Sequence, residues 1–212
     1  MTNDDQIKAF KDSLKANQES FRVRLTKDTL GRLSEYFRLV MKWNPRLHLV
    51  SPSSANEFSV RHILESLWLL HHLPQNARVA DVGSGAGLPL VPCLLARTDL
   101  DGILIESSAK KGVFLREALK LIESPDRAQV ITSRFELIPA PRVDFVTSRA
   151  LDSFQELLPD LIRWAPQSSR LLLFGGDNLR ATLDQQRIAY RLELIPNSEE
   201  RFLFSFKRGE EL

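Results

Sequence analysis

The stretch VADVGSGAGLP, residues 79–89, constrains the fold of this chain more than any other. A short apolar run carries Asp81, and Gly83, Gly85 and Gly87 follow at alternate positions. A chain with nine glycines in all thus places three of them within five residues. Backbone without Cβ atoms is needed where a turn requires φ > 0 or where a ligand approaches the main chain closely. A strand, a glycine turn and a helix together form the ligand-cradling unit of doubly wound α/β folds. Pro89 suits the first turn of the helix that follows, where its missing N–H costs little, and Pro92 is early enough to be tolerated. A purely structural turn would use the same glycines, so the pattern alone leaves the ligand open.

The rest of the chain supplies the context that unit needs. Short apolar runs at 78–82, 102–106, 128–132, 143–147 and 170–174 predict strands. Helical spacing between them predicts helices at 88–97, 108–122, 152–164 and 177–187. This alternation implies a parallel sheet covered by helices on both faces. Two further strands, 189–194 and 201–206, flank the turn-forming PNSE without a helix between them, and so predict an antiparallel pair at or near a sheet edge. Residues 1–74 read as helices instead. Ile7, Phe10 and Leu14 share one face, and Leu30, Leu33, Phe37 and Val40 share another. The second helix has Thr26 or Asp28 as its cap and is expected to stop near Pro45, and a third runs from about Ser54 to the region before Pro74. The expected organisation is a helical extension, 1–74, on an α/β core, 75–212.

Length and composition fit that picture. The 212 residues, 43% hydrophobic and 26% charged, suit one α/β domain with a modest appendage. No window approaches the roughly 20 apolar residues of a membrane span, and the polar start MTNDDQIKAFK lacks a signal-peptide core. The single cysteine, Cys93, excludes an intramolecular disulfide and suits a reducing, cytoplasmic location. Net charge is only +2, but residues 1–50 hold ten Lys or Arg against six acids, which leaves that stretch at +4 and the remainder at −2. The asymmetry is compatible with a polyanionic partner and equally with a solvated helical face.

The glycine spacing narrows the ligand. A dinucleotide fingerprint, G-x-G-x-x-G, would require glycine at position 88, where this chain has leucine. No G-K-[ST] follows, which excludes a P-loop. The compact G-x-G-x-G form resembles the loop of class I S-adenosylmethionine-dependent methyltransferases. Glu106 ends the next strand, 19 residues beyond Gly87, where a carboxylate can accept both hydroxyls of a ribose. Asp81 can hold a loop amide or a ligand ammonium group, or simply cap the turn.

Six segments then occur in order: WNPRLHLVS (43–51), RHILESL (61–67), DVGSGAGLP (81–89), ESSAKKGVFLRE (106–117), SRFE (133–136) and TSRAL (147–151). Together they resemble the small-subunit (16S) ribosomal RNA guanine-N7 methyltransferase family, also called glucose-inhibited division protein B. The resemblance covers roughly residues 30–180. It implies a Rossmann-like methyltransferase core with a helical N-terminal extension, S-adenosylmethionine as cofactor, and small-subunit ribosomal RNA or the ribosomal subunit as partner, with no membrane, no metal and a monomeric chain. Carried over by residue, Gly83 and Leu88 would line the cofactor from the loop, joined by Gly85 and Gly87, whose bare backbone lets a ligand approach, and by Asp81 at the end of the first strand. Glu106 would hold the ribose, and Phe135 and Glu136 would flank the adenine. Arg149 would sit at the methionine end and the reacting centre. Arg61 and His62 would open a segment folded over the pocket, with His62 a candidate catalytic residue beside Arg149 and Arg61 a candidate RNA contact, and Lys110 and Lys111 would face RNA phosphate or solvent. Three positions depart from the family's usual pattern: Leu90 in place of glycine, Glu65 in place of aspartate, and Gly175–Gly176 where lysine–glycine is usual.

Guanine N7 carries an in-plane lone pair and no proton, so its methylation requires neither a general base nor a protein nucleophile. The chain fits by what it lacks. The place after the fourth strand reads DFVTSRA rather than an adenine-N6 signature, and Cys93 lies in the helix after the glycine loop, where a small buried residue is expected. His48, His62, His71 and His72 are not spaced as metal ligands. Two other functions stay open on these grounds: an RNA-binding assembly factor that has lost turnover, and a nicotinamide-dependent oxidoreductase, against which Leu88 argues.

Overall fold

The computed structural model describes residues 2–149 and 154–208 of the chain. Helix α1 (Asn3–Asn17) opens with a capping box, in which Thr2 and Asp5 each bond the other's backbone N–H. Helix α2 (Lys27–Leu47) is capped by Thr26, whose hydroxyl accepts from the Thr29 N–H at 3.1 Å, while Asp28 sits in its first turn. The expected stop at Pro45 is corrected by two residues. Pro45 removes one N–H from the last turn, but the His48 N–H still reaches the Asn44 carbonyl, and His48 closes the helix in the left-handed region at φ 47°.

The single third helix expected from Ser54 is replaced by four short pieces. Ser54 caps α3 (Ala55–Phe58), a π-helical segment follows over Ser59–Leu64, then α4 (Glu65–Leu67) and a 3-10 turn over Trp68–His72. Hydrophobic spacing reports a helical face but cannot report this widening, which serves a partner 83–88 residues away, described below.

Strands β1 (Arg78–Val82), β2 (Asp101–Glu106), β3 (Ala128–Thr132), β4 (Phe145–Ser148) and β5 (Arg170–Gly175) are parallel, with β6 (Arg191–Leu194) and β7 (Phe202–Lys207) antiparallel to their neighbours. The sheet order is β3-β2-β1-β4-β5-β7-β6, so the hairpin closes one edge as the sequence predicts. Val143, expected in β4, precedes it, because its carbonyl accepts from the Ser169 hydroxyl instead of entering the ladder. Helices α5 (Leu90–Ala96), α6 (Ala109–Leu119), α7 (Phe154–Trp164) and α8 (Asp177–Gln185) lie within the ranges read from the sequence; residues 152 and 153 of the expected third core helix, and Ala150 and Leu151 of TSRAL, fall outside the described residues.

Side chains alternate across the sheet with period two. Val79, Leu104, Leu172 and Phe174 join α1, α2, α5 and α6 in one apolar cluster, whereas Ala80, Ile103, Ile105, Leu171 and Leu173 join α7 and α8 in another. The N-terminal helices therefore share a core with the sheet. Phe10 anchors α1 there: it is fully buried and stacks on Phe37 of α2 at 4.6 Å between ring centroids. Phe10→Ala should lower the unfolding free energy by about 3–5 kcal/mol, the cost of an emptied aromatic site, as read by urea denaturation.

Candidate active site

The strand order reverses direction between β1 and β4, the switch point at which open α/β sheets bind ligands beyond the carboxyl ends of their strands. The glycine loop leaves β1 there. Gly83, Gly85 and Gly87 have φ of 72°, 53° and 85°, values at which a side chain is strained. Their surroundings differ. A Cβ on Gly85 would find only the Gly83 carbonyl, at 3.7 Å, whereas one on Gly87 would stand 2.5 Å from Val91 Cγ2. Gly85 thus borders open space, and Gly87 lets α5 fold back on the loop.

One carboxylate fixes the loop to the next strand. Glu106 accepts from the Gly85 N–H through Oε2 and from the Ser108 N–H through Oε1, both at 2.8 Å. The Gly83 and Ser84 N–H groups reach the Ile105 carbonyl. The resulting cavity, about 380 Å³, is lined by Gly83, Gly85 and Leu88, by Glu106 and Lys111, by His62 and Arg149, and by residues 48–51. Gly87 is absent from that lining. A smaller cleft of about 170 Å³ shares Gly83 and contains Phe135 and Glu136. Phe135 is buried edge-on against Trp164, and Glu136 is held below its ordinary pKa by its hydrogen bond from Arg134, at 2.8 Å.

Asp81 lies beneath the loop, fully buried, and neither carboxylate oxygen has a hydrogen-bond partner among the described residues. Burial pushes its pKa up to about 8, and the nearby Glu106 charge adds to the rise. The Ser84 side chain partly offsets the rise, and Asp81 is not among the residues that line the cavity.

The other side of the cavity is built by the π-helical segment. His62 packs edge-on against Phe58 at 4.9 Å, and its buried Nδ1 has no partner among the described residues. Burial and the neighbouring Arg149 and Arg61 hold its pKa down to about 3, so the ring is neutral. Arg149 leaves the end of β4 and donates to the Arg61 carbonyl, to Ser66 Oγ at 3.4 Å and to Glu65 Oε2 at 3.2 Å. The widened turn brings these acceptors around one guanidinium. Glu65, with 2% of its side chain exposed, also binds Arg201, just before the last strand, at 2.7 Å. Glu65 is therefore shared by two arginines from opposite ends of the core.

The structure brings Gly83, Gly85, Leu88, Glu106, His62, Arg149 and Lys111 to one cavity and puts Phe135 and Glu136 in the adjoining cleft. It does not bring the Arg61 side chain there: half exposed, that side chain pairs with Glu57 at 2.9 Å. Lys110 is exposed beside Lys111. Two contributors were missed. Residues 48–51 wall the cavity because the Asn44 side chain accepts from the Val50 N–H at 3.0 Å and folds the turn inward. Arg201 reaches Glu65 from 136 residues away, and no local pattern signals it. Two departures have packing reasons. Leu90 is buried and fills the space beside Gly102, and Gly175 lets Leu179 of α8 pack on β5. Among the described residues, no group of three His, Cys, Asp or Glu is arranged to hold a metal, and no helix is long and apolar enough to cross a membrane.

A switch-point cavity, a glycine turn after β1 and an acid ending β2 define the Rossmann-like fold of class I methyltransferases. A SAM dependent methyltransferase from Aquifex aeolicus shares that fold with a TM-score of 0.51 at 19% identity, over 66% of this chain and 87% of that one. The chain belongs to the GidB family, rRNA small subunit methyltransferase G, whose model matches residues 29–206. The ribosomal RNA small subunit methyltransferase G of Rhodospirillum centenum is 38% identical over 177 residues, 82% of this chain and 80% of that protein. The protein of the same name from Paracoccus denitrificans is 32% identical over 165 residues, 77% of this chain and 84% of that protein. The resemblance read from the six segments holds, and the hydride-transfer alternative is set aside.

Two outcomes test this geometry. Glu65→Gln leaves two guanidinium groups facing a neutral amide. It should cost about 3 kcal/mol, the low end for a broken buried ion pair, because the Arg201 side chain is 36% exposed and can turn to water. Asp81 governs a pH slope. Between about 3.9, its unfolded pKa, and about 8, its folded one, the folded chain keeps a proton that the unfolded chain has lost. Stability therefore falls as pH rises, by up to ~1.4 kcal/mol per unit. Asp81→Asn removes that fall, so its stability relative to the wild type should increase from pH 5 to pH 8 in paired urea titrations.

Proposed function

We propose that this chain transfers a methyl group from S-adenosylmethionine to N7 of a guanine in small-subunit (16S) ribosomal RNA, as a cytoplasmic monomer acting on the RNA or the subunit. The observation that carries the reading is the Gly85–Glu106 junction, which lines the cavity beside the glycine loop. Glu106 still has lone pairs free for ribose hydroxyls, Asp81 suits the ammonium group of the methionine moiety, and Gly83, Gly85 and Leu88 form the wall between them. Gly87 serves the cofactor indirectly, by setting the loop's path. Phe135 and Glu136 are the adenine side, one supplying an apolar face and the other a hydrogen-bond acceptor. When bound, the cofactor supplies an electrophilic methyl group on a sulfonium centre.

The chain's own task is positioning and charge. Methylation at N7 moves a positive charge onto the base, so an uncompensated cation at that point would oppose it. His62 is neutral and therefore suits hydrogen bonding to the acceptor base without repelling the product cation. The Arg149 charge is only partly offset, because Glu65 is shared with Arg201, so Arg149 is assigned to positioning. Arg61, Lys110 and Lys111 at the rim suit RNA phosphates, although Arg61 would have to share its Glu57 partner. The division into an extension, 1–74, and a core, 75–212, is kept as a functional one, with the extension supplying the wall at residues 48–51 and His62.

The test is single-turnover transfer of labelled methyl to small-subunit RNA, with saturating cofactor and nucleoside analysis of the product. Label in 7-methylguanine supports the reading, and a chain that binds cofactor but never transfers methyl is the assembly factor instead. No proton leaves N7, and with its pKa at about 3 His62 does not titrate near neutrality. The rate should therefore be nearly flat from roughly pH 6 to 9. A rise with slope near one that His62→Gln abolishes would contradict the mechanism.

A further inference from the structure

Tyr36 takes part in none of the roles above, yet it joins the N-terminal helices to the centre of the glycine loop. It sits on the buried face of α2 with Leu33, Phe37 and Val40 and has no solvent exposure. Its hydroxyl donates to the Ala86 carbonyl at 2.6 Å, across 50 residues of sequence. Ala86 lines the cavity between two positive-φ glycines. Glycines on both sides leave the intervening peptide groups free to rotate unless their polar atoms are held. The Gly85 N–H is held by Glu106, the Gly87 N–H by the Ser84 carbonyl at 2.6 Å, and the Ala86 carbonyl by Tyr36.

We infer that Tyr36 is a positioning residue for the cofactor: its hydroxyl fixes the Ala86 carbonyl toward α2, and thereby keeps the loop in the shape that admits the ligand. The inference rests on the reading that the cavity holds S-adenosylmethionine. Without the hydroxyl, the carbonyl is left buried and unpaired, a state that proteins relieve by moving the group toward another donor or water. The flanking glycines permit that rotation, and the space it would take is the cavity.

The test uses the full chain and S-adenosylhomocysteine as the probe, titrated calorimetrically into the wild type, Tyr36→Phe and Ser34→Ala. Ser34 is a control in the same helix, because its buried hydroxyl bonds the Leu30 carbonyl at 2.6 Å and does not reach the loop. Tyr36→Phe should weaken binding about tenfold and raise the KM for S-adenosylmethionine by the same factor, with kcat at saturation held within about twofold, while Ser34→Ala binds like the wild type. Equal affinity in the wild type and Tyr36→Phe overturns the inference, as does an equal loss in Ser34→Ala, which would indicate a general loosening of α2. Failure of the wild type itself to bind overturns the reading of the cavity, and this inference with it. Tyr36 and Tyr190 are the two tyrosines of the chain. If Tyr36→Phe does not fold, 3-fluorotyrosine labelling supplies the answer, with Tyr190→Phe for assignment. The Tyr36 fluorine resonance should shift on adding S-adenosylhomocysteine, and an unmoved resonance overturns the inference.

Discussion

The Glu106 carboxylate is the constraint on which the site depends. It ends one parallel strand and binds the backbone of the loop that leaves its neighbour, at 2.8 Å to Gly85, and of the turn that follows it, at 2.8 Å to Ser108. Parallel strands emerge side by side at the same end of the sheet, so adjacent loops must be kept apart and aligned there. A buried carboxylate accepting two main-chain N–H bonds does both, and its charge-assisted bonds are stronger than neutral ones. The same charge, close to Asp81, helps to keep that second acid protonated. Burial is the larger cause of its raised pKa.

The opposite wall has a matching logic. Arg149 is surrounded by the Arg61 carbonyl, Ser66 and Glu65, all from a helix widened by one π-helical segment. Such widenings recur at functional sites because they offer carbonyl groups that a regular helix keeps occupied. Glu65 extends the wall to Arg201, so the last hairpin, the end of β4 and the N-terminal helices meet at one carboxylate.

What could be read in the sequence follows from the range of the interactions involved. The strands and the glycine loop were legible because period-two alternation and the need for positive φ are local properties. Glu106 was legible because its spacing from the loop is set by one βαβ repeat. The π-helical turn was not, since Ser59–Leu64 has ordinary helical residues and its Arg61 carbonyl is bonded by an arginine 88 residues away. Pro45 misled by two residues, because a proline in a last turn forfeits only one hydrogen bond, which the His48 cap outlasts. Nothing in the sequence singled out Tyr36, and its hydroxyl contact with Ala86 separates it from Phe37 beside it. Arg201 lay in a tail read only as a strand, and its partner is fixed by sheet topology.

The central claim is that the junction of the glycine loop and Glu106 forms a cradle for an adenosyl sulfonium ligand and not for a dinucleotide. Calorimetric titration of the wild-type chain with S-adenosylhomocysteine and, separately, with NAD tests it most directly. The account predicts one-to-one binding of S-adenosylhomocysteine and no detectable heat with NAD. Saturable NAD binding, or no binding of S-adenosylhomocysteine, would contradict it.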